Sequence, residues 1–347
     1  MISPADAHLL ETALARRKSL IESGATTAYR ILNGAADGLD GVVMERFGPA
    51  LIVQWHEGRA DVPLERMQTI AQAAHDSLGT TGVYLKRFVK DRAAAGTDVD
   101  VRHRDATPWI GEATLPDITI DEHGLRFIIR PYDGFSVGLF LEHRDNRRLI
   151  RELAAGRRVL NLFAYTCGFS VAAALGGATL VAGADLSRRY LEWGRDNFAL
   201  NGIDTRTTGD AAAAKPGQGL ATRFYASDAF DFFGRAQRQA QQYDLIVLDP
   251  PTFSRTRRPA RVFELDADLG RLLAGAISLL APGGQLFFAT NYRQMSMKRM
   301  EAQLHAAAEA CDGPGAPRRA HILKRPALPV DFAGDEEYAK AVLARVD

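Results

Sequence analysis

The 347-residue chain is 46% hydrophobic and carries 43 basic and 42 acidic residues, for a net charge of +1. That length supports one large core and a smaller one, so two domains are expected, and the near-zero charge excludes a global field for polyanions. No stretch approaches the ~20 consecutive apolar residues of a membrane span, no basic-then-apolar leader opens the chain, and Cys167 and Cys311 are too few for a disulfide framework or a thiolate zinc site, so neither membrane nor metal is expected and a cytoplasmic location is the default.

Residues 5–23 read as one amphipathic helix, with Leu9, Leu10, Leu14, Leu20 and Ile21 at helical spacing. Short strand-like runs follow at 29–32, 41–45 and 51–55, separated by turn pairs such as Asn33-Gly34 and Asp37-Gly38. A helix is predicted over 64–78 and a strand over 82–88, ending near Lys86 and Arg87. The Gly-, Asp- and Arg-rich stretch 91–108 is the expected boundary. It divides an α+β N-terminal domain, 1–108, from a second domain, 109–347, which opens with a hairpin at about 117–130 turning at His123-Gly124.

From about residue 138 strands and helices alternate. Strands are predicted at 158–163, 180–184, 223–226, 245–248 and 285–290, and helices at 169–175, 187–201, 229–241 and 266–280, with 211–220 as a surface insertion. This is the sequence form of an α/β, doubly wound, mostly parallel sheet.

Three of these strands end in an acid: Asp185, Asp228 and Asp249. In a doubly wound sheet ligands sit beyond the carboxyl ends of the strands, and an acid after the second strand can take both ribose hydroxyls of a nucleoside. Any one such acid is as often a helix cap; three in register, after a glycine-containing first turn, indicate a nucleoside cofactor. The first turn, Asn161-Leu162-Phe163-Ala164-Tyr165-Thr166-Cys167-Gly168, has one glycine and no phosphate cradle, which disfavours a dinucleotide. S-adenosylmethionine, with no phosphate and a zwitterionic tail, fits that polar turn. At Asp249 the apolar run stops against Pro250, Pro251 and Phe253, giving a stiff wall with acceptor groups and a ring to stack on, as transfer to a flat nitrogenous acceptor requires.

The ordered set Gly138-Leu139-Phe140-Leu141-Glu142-His143-Arg144, Asn161 to Gly168, Asp185-Leu186-Ser187, Tyr190-Leu191-Glu192-Trp193, Asn197, Leu200-Asn201-Gly202 and Asp249-Pro250-Pro251-Thr252-Phe253-Ser254 resembles the bacterial class I, Rossmann-like methyltransferases of 23S ribosomal RNA. The likeness is greatest to the guanine-N7 half of the fused large-subunit enzyme, from about Arg30 onward; the related cytosine-C5 enzymes share the 31–47 pattern. The separate RNA-binding domain those relatives carry in front is expected to be missing. The resemblance implies cofactor contact from Asn161, Phe163, Tyr165, Thr166 and Gly168, ribose contact around Asp185 and Leu186, adenine-side contact from Asp228 and Ala229, a cofactor-side Arg144, and an acceptor site at Asp249 to Phe253. Cys167 stands where relatives usually have Gly.

Methylation at a pyrimidine C5 needs a thiolate to attack the ring first. Neither Thr252 nor Thr290-Asn291, the positions for that group, is Cys; Cys167 belongs to the cofactor turn and Cys311 is expected in a later helix. A ring nitrogen such as guanine N7 has its own lone pair and needs only placement. Asp249 is therefore expected to accept from guanine N1–H and the exocyclic amine, Phe253 to stack, and Asn291 or Arg293 to fix O6. The expected partner is RNA with an accessible base, most of all large-subunit ribosomal RNA. Of the basic residues 36 are Arg and seven Lys, and a single Arg cluster ordinarily is a solvated face. The cluster Arg255, Arg257, Arg258 and Arg261 directly follows the acceptor loop, where flanking phosphates would lie, and Lys86, Arg87, Lys90 and Arg92 form a second candidate surface. Another nucleobase atom, a protein or small-molecule acceptor, and a catalytically silent RNA-binding assembly factor remain as alternatives.

Overall fold

A computed structural model of the chain describes residues 2–59, 62–88, 103–205, 220–257, 260–311 and 317–347, with backbone alone at 256, 257, 260 and 261. The chain divides into two units, Met1–Arg144 with Pro329–Asp335, and Asp145–Leu328 with Glu336–Asp347.

The first unit opens with α1 (Pro4–Arg16) and α2 (Lys18–Ser23), not the single helix read from the sequence. The break falls at Arg17, whose guanidinium turns inward to Asp37, to the Arg30 carbonyl and to the Asp331 carbonyl. Strands β1 (Ala28–Asn33), β2 (Val42–Phe47), β3 (Ala50–His56), β4 (Gly82–Phe88) and β5 (Ile110–Gly111) form one sheet in that order. Only β3 and β4 are parallel, joined through α3 (Leu64–Leu78), which buries Met67, Ile70, Ala71 and Ala74 at i, i+3, i+4 and i+7.

The hairpin β6 (Ile118–Glu122) and β7 (Leu125–Ile129) turns where expected, with positive φ at His123 and Gly124. Its backbone bonds run to the start of the chain, Thr27 N–H to Asp121 O at 2.9 Å and His123 N–H to Ala25 O at 2.7 Å. The compact units therefore part after Arg144 and not at 108, and the hairpin goes with the first. Residues 91–102 of the expected boundary lie outside the described residues. The late segment 329–335 joins the first unit through buried charge: Asp331 pairs with Arg144 and accepts from the Arg30 N–H, and the Arg30 guanidinium sits 4.0 Å above the Phe332 ring while bonding Glu45.

In the second unit α4 (Arg144–Leu153), shared at its first residue, precedes β8 (Arg158–Leu162), α5 (Gly168–Leu175), β9 (Leu180–Asp185), α6 (Arg188–Leu200), β10 (Ala221–Ala226), α7 (Ala229–Arg238) and β11 (Tyr243–Leu248). A ribbon, β12 (Phe253–Arg257) with β13 (Ala260–Glu264), then leads into α8 (Leu265–Ser278), β14 (Leu280–Thr290), α9 (Met297–Glu309), β15 (Ala320–Lys324) and β16 (Lys340–Val346). The sheet order is β10-β9-β8-β11-β14-β16-β15, parallel from β10 to β14 and antiparallel at β16 and β15. This is a Rossmann-like α/β sheet. The central strands are covered on both faces, which is why they read as continuous apolar runs: Leu245 to Leu248 are wholly buried. The chain reverses its direction of travel across the sheet between β8 and β11, which opens a crevice at their carboxyl ends.

The ribbon and the last two strands were not foreseen in the sequence, and α9 only as a later helix expected to hold Cys311. Cys311 lies just past α9 and is buried, not within a helix. All but Leu220 of the expected insertion 211–220 is outside the described residues.

Candidate active site

Five adjacent parallel strands end in one row, and every acid singled out in the sequence stands on it. In spatial order the row runs Asp228 beyond β10, Asp185 at the end of β9, Phe163 beyond β8, Asp249 beyond β11 and Asn291 beyond β14. At the ~4.8 Å spacing of neighbouring strands it spans about 19 Å, enough for an extended nucleoside followed by an acceptor ring.

The turn after β8 is strained in a regular way. Phe163, Tyr165 and Cys167 all have positive φ, at 55°, 48° and 63°. Such a conformation costs a residue with a Cβ about 1 kcal/mol or more and persists only where the surroundings enforce it. The enforcement is visible: Cys167 N–H bonds Ala164 O at 2.7 Å, Ala164 N–H bonds Ala184 O at 3.0 Å, and the Asn197 amide holds Thr166 O at 2.9 Å. Asn161 is buried and donates to Ser170 Oγ at 3.0 Å. Asn161 and Thr166 thus brace the turn from beneath, while Phe163, Tyr165 and Gly168 lie partly open. The N-cap residue of α5, Cys167, makes no side-chain cap hydrogen bond, an arrangement suited to a carboxylate tail.

Asp185 accepts Tyr165 N–H at 2.9 Å on one oxygen and Ser187 N–H at 2.8 Å on the other. Each oxygen keeps acceptor capacity for a hydroxyl. Burial pushes the Asp185 carboxyl above its ordinary range, against the pull of those two N–H groups. Leu186 beside it is 43% exposed, an apolar surface at the strand end. Asp228 caps α7 through Phe230 N–H at 2.9 Å, and Ala229 is buried behind it. The donors and acceptors present fit a nucleoside with a zwitterionic tail and provide no cradle for a pyrophosphate.

Beyond β11 Asp249 is half-buried, Pro250 buried, and Pro251, Thr252 and Phe253 exposed. Leu265 N–H to Thr252 O, 3.1 Å, closes the base of the ribbon. Beyond β14, Tyr292 N–H bonds Thr290 Oγ1 at 3.1 Å, leaving Asn291 exposed, and the Arg293 guanidinium lies 5.8 Å from the Tyr338 ring centroid.

Residues 92–301 match the family model described as S-adenosylmethionine-dependent methyltransferase. The chain belongs to that family. Over 344 residues it is 32% identical to a ribosomal RNA large subunit methyltransferase of Deinococcus radiodurans, covering 97% of this chain and 78% of that one. It is 36% identical over 190 residues to the ribosomal RNA large subunit methyltransferase K of Neisseria meningitidis, spanning 55% of this chain and half of the relative. The crystal structure of SMU.776 complexed with SAH superposes with a TM-score of 0.81 at 26% identity, over 98% of this chain and 81% of that one. The methyltransferase thus uses S-adenosylmethionine, and among the described residues no helix is long and apolar enough to cross a membrane.

Several site residues expected from the sequence lie elsewhere. Arg144 is buried and paired with Asp331, committed to the packing of the first unit and not open to a cofactor. Lys86 is also buried: its Nζ donates to the His103 and Gly134 carbonyls at 3.0 and 2.7 Å, so it presents no charge to a phosphate. Arg87 is half-exposed but bonded to Glu57 at 2.7 Å and placed over Trp55. Arg255 is exposed on the ribbon; Arg257 and Arg261 are described there by backbone alone, and Lys90, Arg92 and Arg258 lie outside the described residues. Sequence reasoning missed the ribbon itself and the cluster of Phe163, Phe230 and Phe263 beside Asp228. The run Phe253 to Glu264, alternating across two prospective strands, was the available signal.

Proposed function

We propose that this methyltransferase modifies a nucleobase of RNA, guanine N7 of large-subunit ribosomal RNA, by direct in-line transfer. The observation that carries the reading is the acceptor site. Asp249 closes β11 against Pro250 and Pro251, and no cysteine stands at Thr252, Thr290 or Asn291. Both cysteines of the chain are buried, and burial raises the Cys167 thiol far above its ordinary range, so neither is a ready nucleophile. The relatives' names supply the RNA, and the motif resemblance supplies the guanine.

Bound S-adenosylmethionine supplies an electrophilic methyl group on a sulfonium. Attack by the N7 lone pair on that methyl would form the N–C bond with the sulfonium leaving as the neutral thioether, so no proton need leave at N7. Asp249 accepts from guanine N1–H and the exocyclic amine, and its charge favours the cation that develops on the ring. Phe253 stacks, Pro250 and Pro251 hold the wall rigid, and Asn291 or Arg293 fixes O6. Placement of this kind lowers a barrier by several kcal/mol without an acid or base. Arg255 on the ribbon meets a flanking phosphate, the first unit contributes a further RNA surface through Arg87, and the enzyme works in the cytoplasm.

Purified protein incubated with methyl-labelled S-adenosylmethionine and separate pools of large-subunit RNA, small-subunit RNA, transfer RNA and protein extract tests the substrate class. Label in large-subunit RNA supports the reading; label confined to protein or to small molecules overturns it.

A further inference from the structure

The ribbon β12–β13 has two unlike faces. Side chains alternate across a strand, and the register pairs Ser254 with Phe263 and Arg255 with Val262. Phe263 is buried, with its ring centroid 5.7 Å from Phe163 and 6.5 Å from Phe230, and the Arg271 guanidinium covers Phe230 from 3.9 Å. Between this face and the start of α7 lies a cavity of about 450 Å³ whose walls include Asp228, Ser254, Phe263 and Arg271, with Val262 at its edge. Carboxylate acceptors beside an aromatic wall suit a flat ring with an exocyclic amine, and Asp228, Asp231 and Asp268 together repel a phosphate. The opposite face differs. Phe253 is 55% exposed and Arg255 is exposed two residues on along the same strand face, with the exposed Glu264 opposite Phe253; the ring and the guanidinium together suit a stacked base and a phosphate.

We infer that the ribbon is shared by cofactor and RNA: its Phe263 face walls the adenine of S-adenosylmethionine, its Phe253 and Arg255 face docks the strand flanking the target base, and each ligand strengthens the binding of the other. The strand is the occupant because Phe253 continues directly from the acceptor motif and Arg255 complements its charge. Coupling follows from the ribbon's isolation: among the described residues it is a two-stranded sheet joined to no other strand, and such a hairpin is marginal alone, so contact on either face stabilises the same element. The outer-face half rests on the RNA reading above.

The test is titration of SAH into the wild-type protein and two variants, with and without a large-subunit RNA transcript. Phe263→Ala weakens SAH about tenfold, and Phe263→Leu, which keeps most of the volume, about threefold. The ratio of SAH affinities with and without RNA is about five or more for the wild type and close to one for Arg255→Glu. Phe263→Leu binding SAH as tightly as the wild type overturns the inference. So does a wild-type ratio of one while an electrophoretic shift shows the RNA bound, and that result leaves the proposed substrate standing. A transcript that does not bind at all overturns the coupling and the RNA reading together.

Discussion

The Cys167 sulfur fills the space a side chain at Gly194 would need: a Cβ there would lie 2.5 Å from Cys167 Sγ and 2.9 Å from its Cβ. The cofactor turn and α6 are thus fitted to one another through a thiol on one side and a missing side chain on the other. Gly194→Ala should destabilise the protein by about 1–3 kcal/mol and weaken SAH binding, because the turn must move. Cys167→Gly relieves the left-handed backbone, and the double variant should recover most of the loss. Urea unfolding of the four proteins in a double-mutant cycle measures this; additive losses would refute the fit.

Asp185 should dominate ribose recognition. Asp185→Asn keeps the shape and removes the charge, and SAH affinity should drop about tenfold or more. Because burial raises the Asp185 carboxyl, acid weakens SAH binding at a higher pH than an ordinary carboxylate, with a pKa of 3.8, would allow. The stability effect has the opposite sign: the folded state holds this proton more tightly, so the group's contribution to stability grows as pH falls. Calorimetric titrations of both proteins from about pH 4 to 7 should show the slope in the wild type alone.

Lys86 gives a pH dependence on the alkaline side. Burial lowers its ammonium from 10.5 to about 7 in the folded chain. Between those values the unfolded chain binds the extra proton, so this group's contribution to stability rises from pH 7 to 10.5 and is at its lowest below that window. Lys86→Met should be more stable than the wild type near neutrality and lose that slope; equal slopes in denaturant titrations would contradict the buried placement.

Asp331 pairs with the buried Arg144 guanidinium and accepts from the Arg30 N–H. Asp331→Ala removes the carboxylate paired with buried Arg144 and should cost about 3–5 kcal/mol, read by urea unfolding. Arg144→Lys should lose stability while binding SAH within about twofold of the wild type, since a point charge replaces the planar fork.

Much of this site was legible because its determinants are local. An apolar run ending in an acid marks a strand end, and Asp185, Asp228 and Asp249 fall where that pattern put them. Lys86 and Arg144 were misread because charge in a sequence looks solvated; the carbonyls and the Asp331 that receive them come from distant positions. The ribbon was missed because its pairing, Phe253 with Glu264 through Arg257 with Ala260, reads locally as an arginine cluster. The seam after Arg144 depends on the hairpin and on 329–335 returning to the first unit, a long-range fact that no window of sequence contains.

The most direct measurement is the identity of the methylated nucleoside. Large-subunit RNA treated with the enzyme and methyl-labelled S-adenosylmethionine, digested to nucleosides and resolved by mass spectrometry, should carry its label as N7-methylguanosine, and Asp249→Ala that still binds SAH should give almost none. Label as 5-methylcytidine, or undiminished transfer by Asp249→Ala, would contradict the account of the acceptor site.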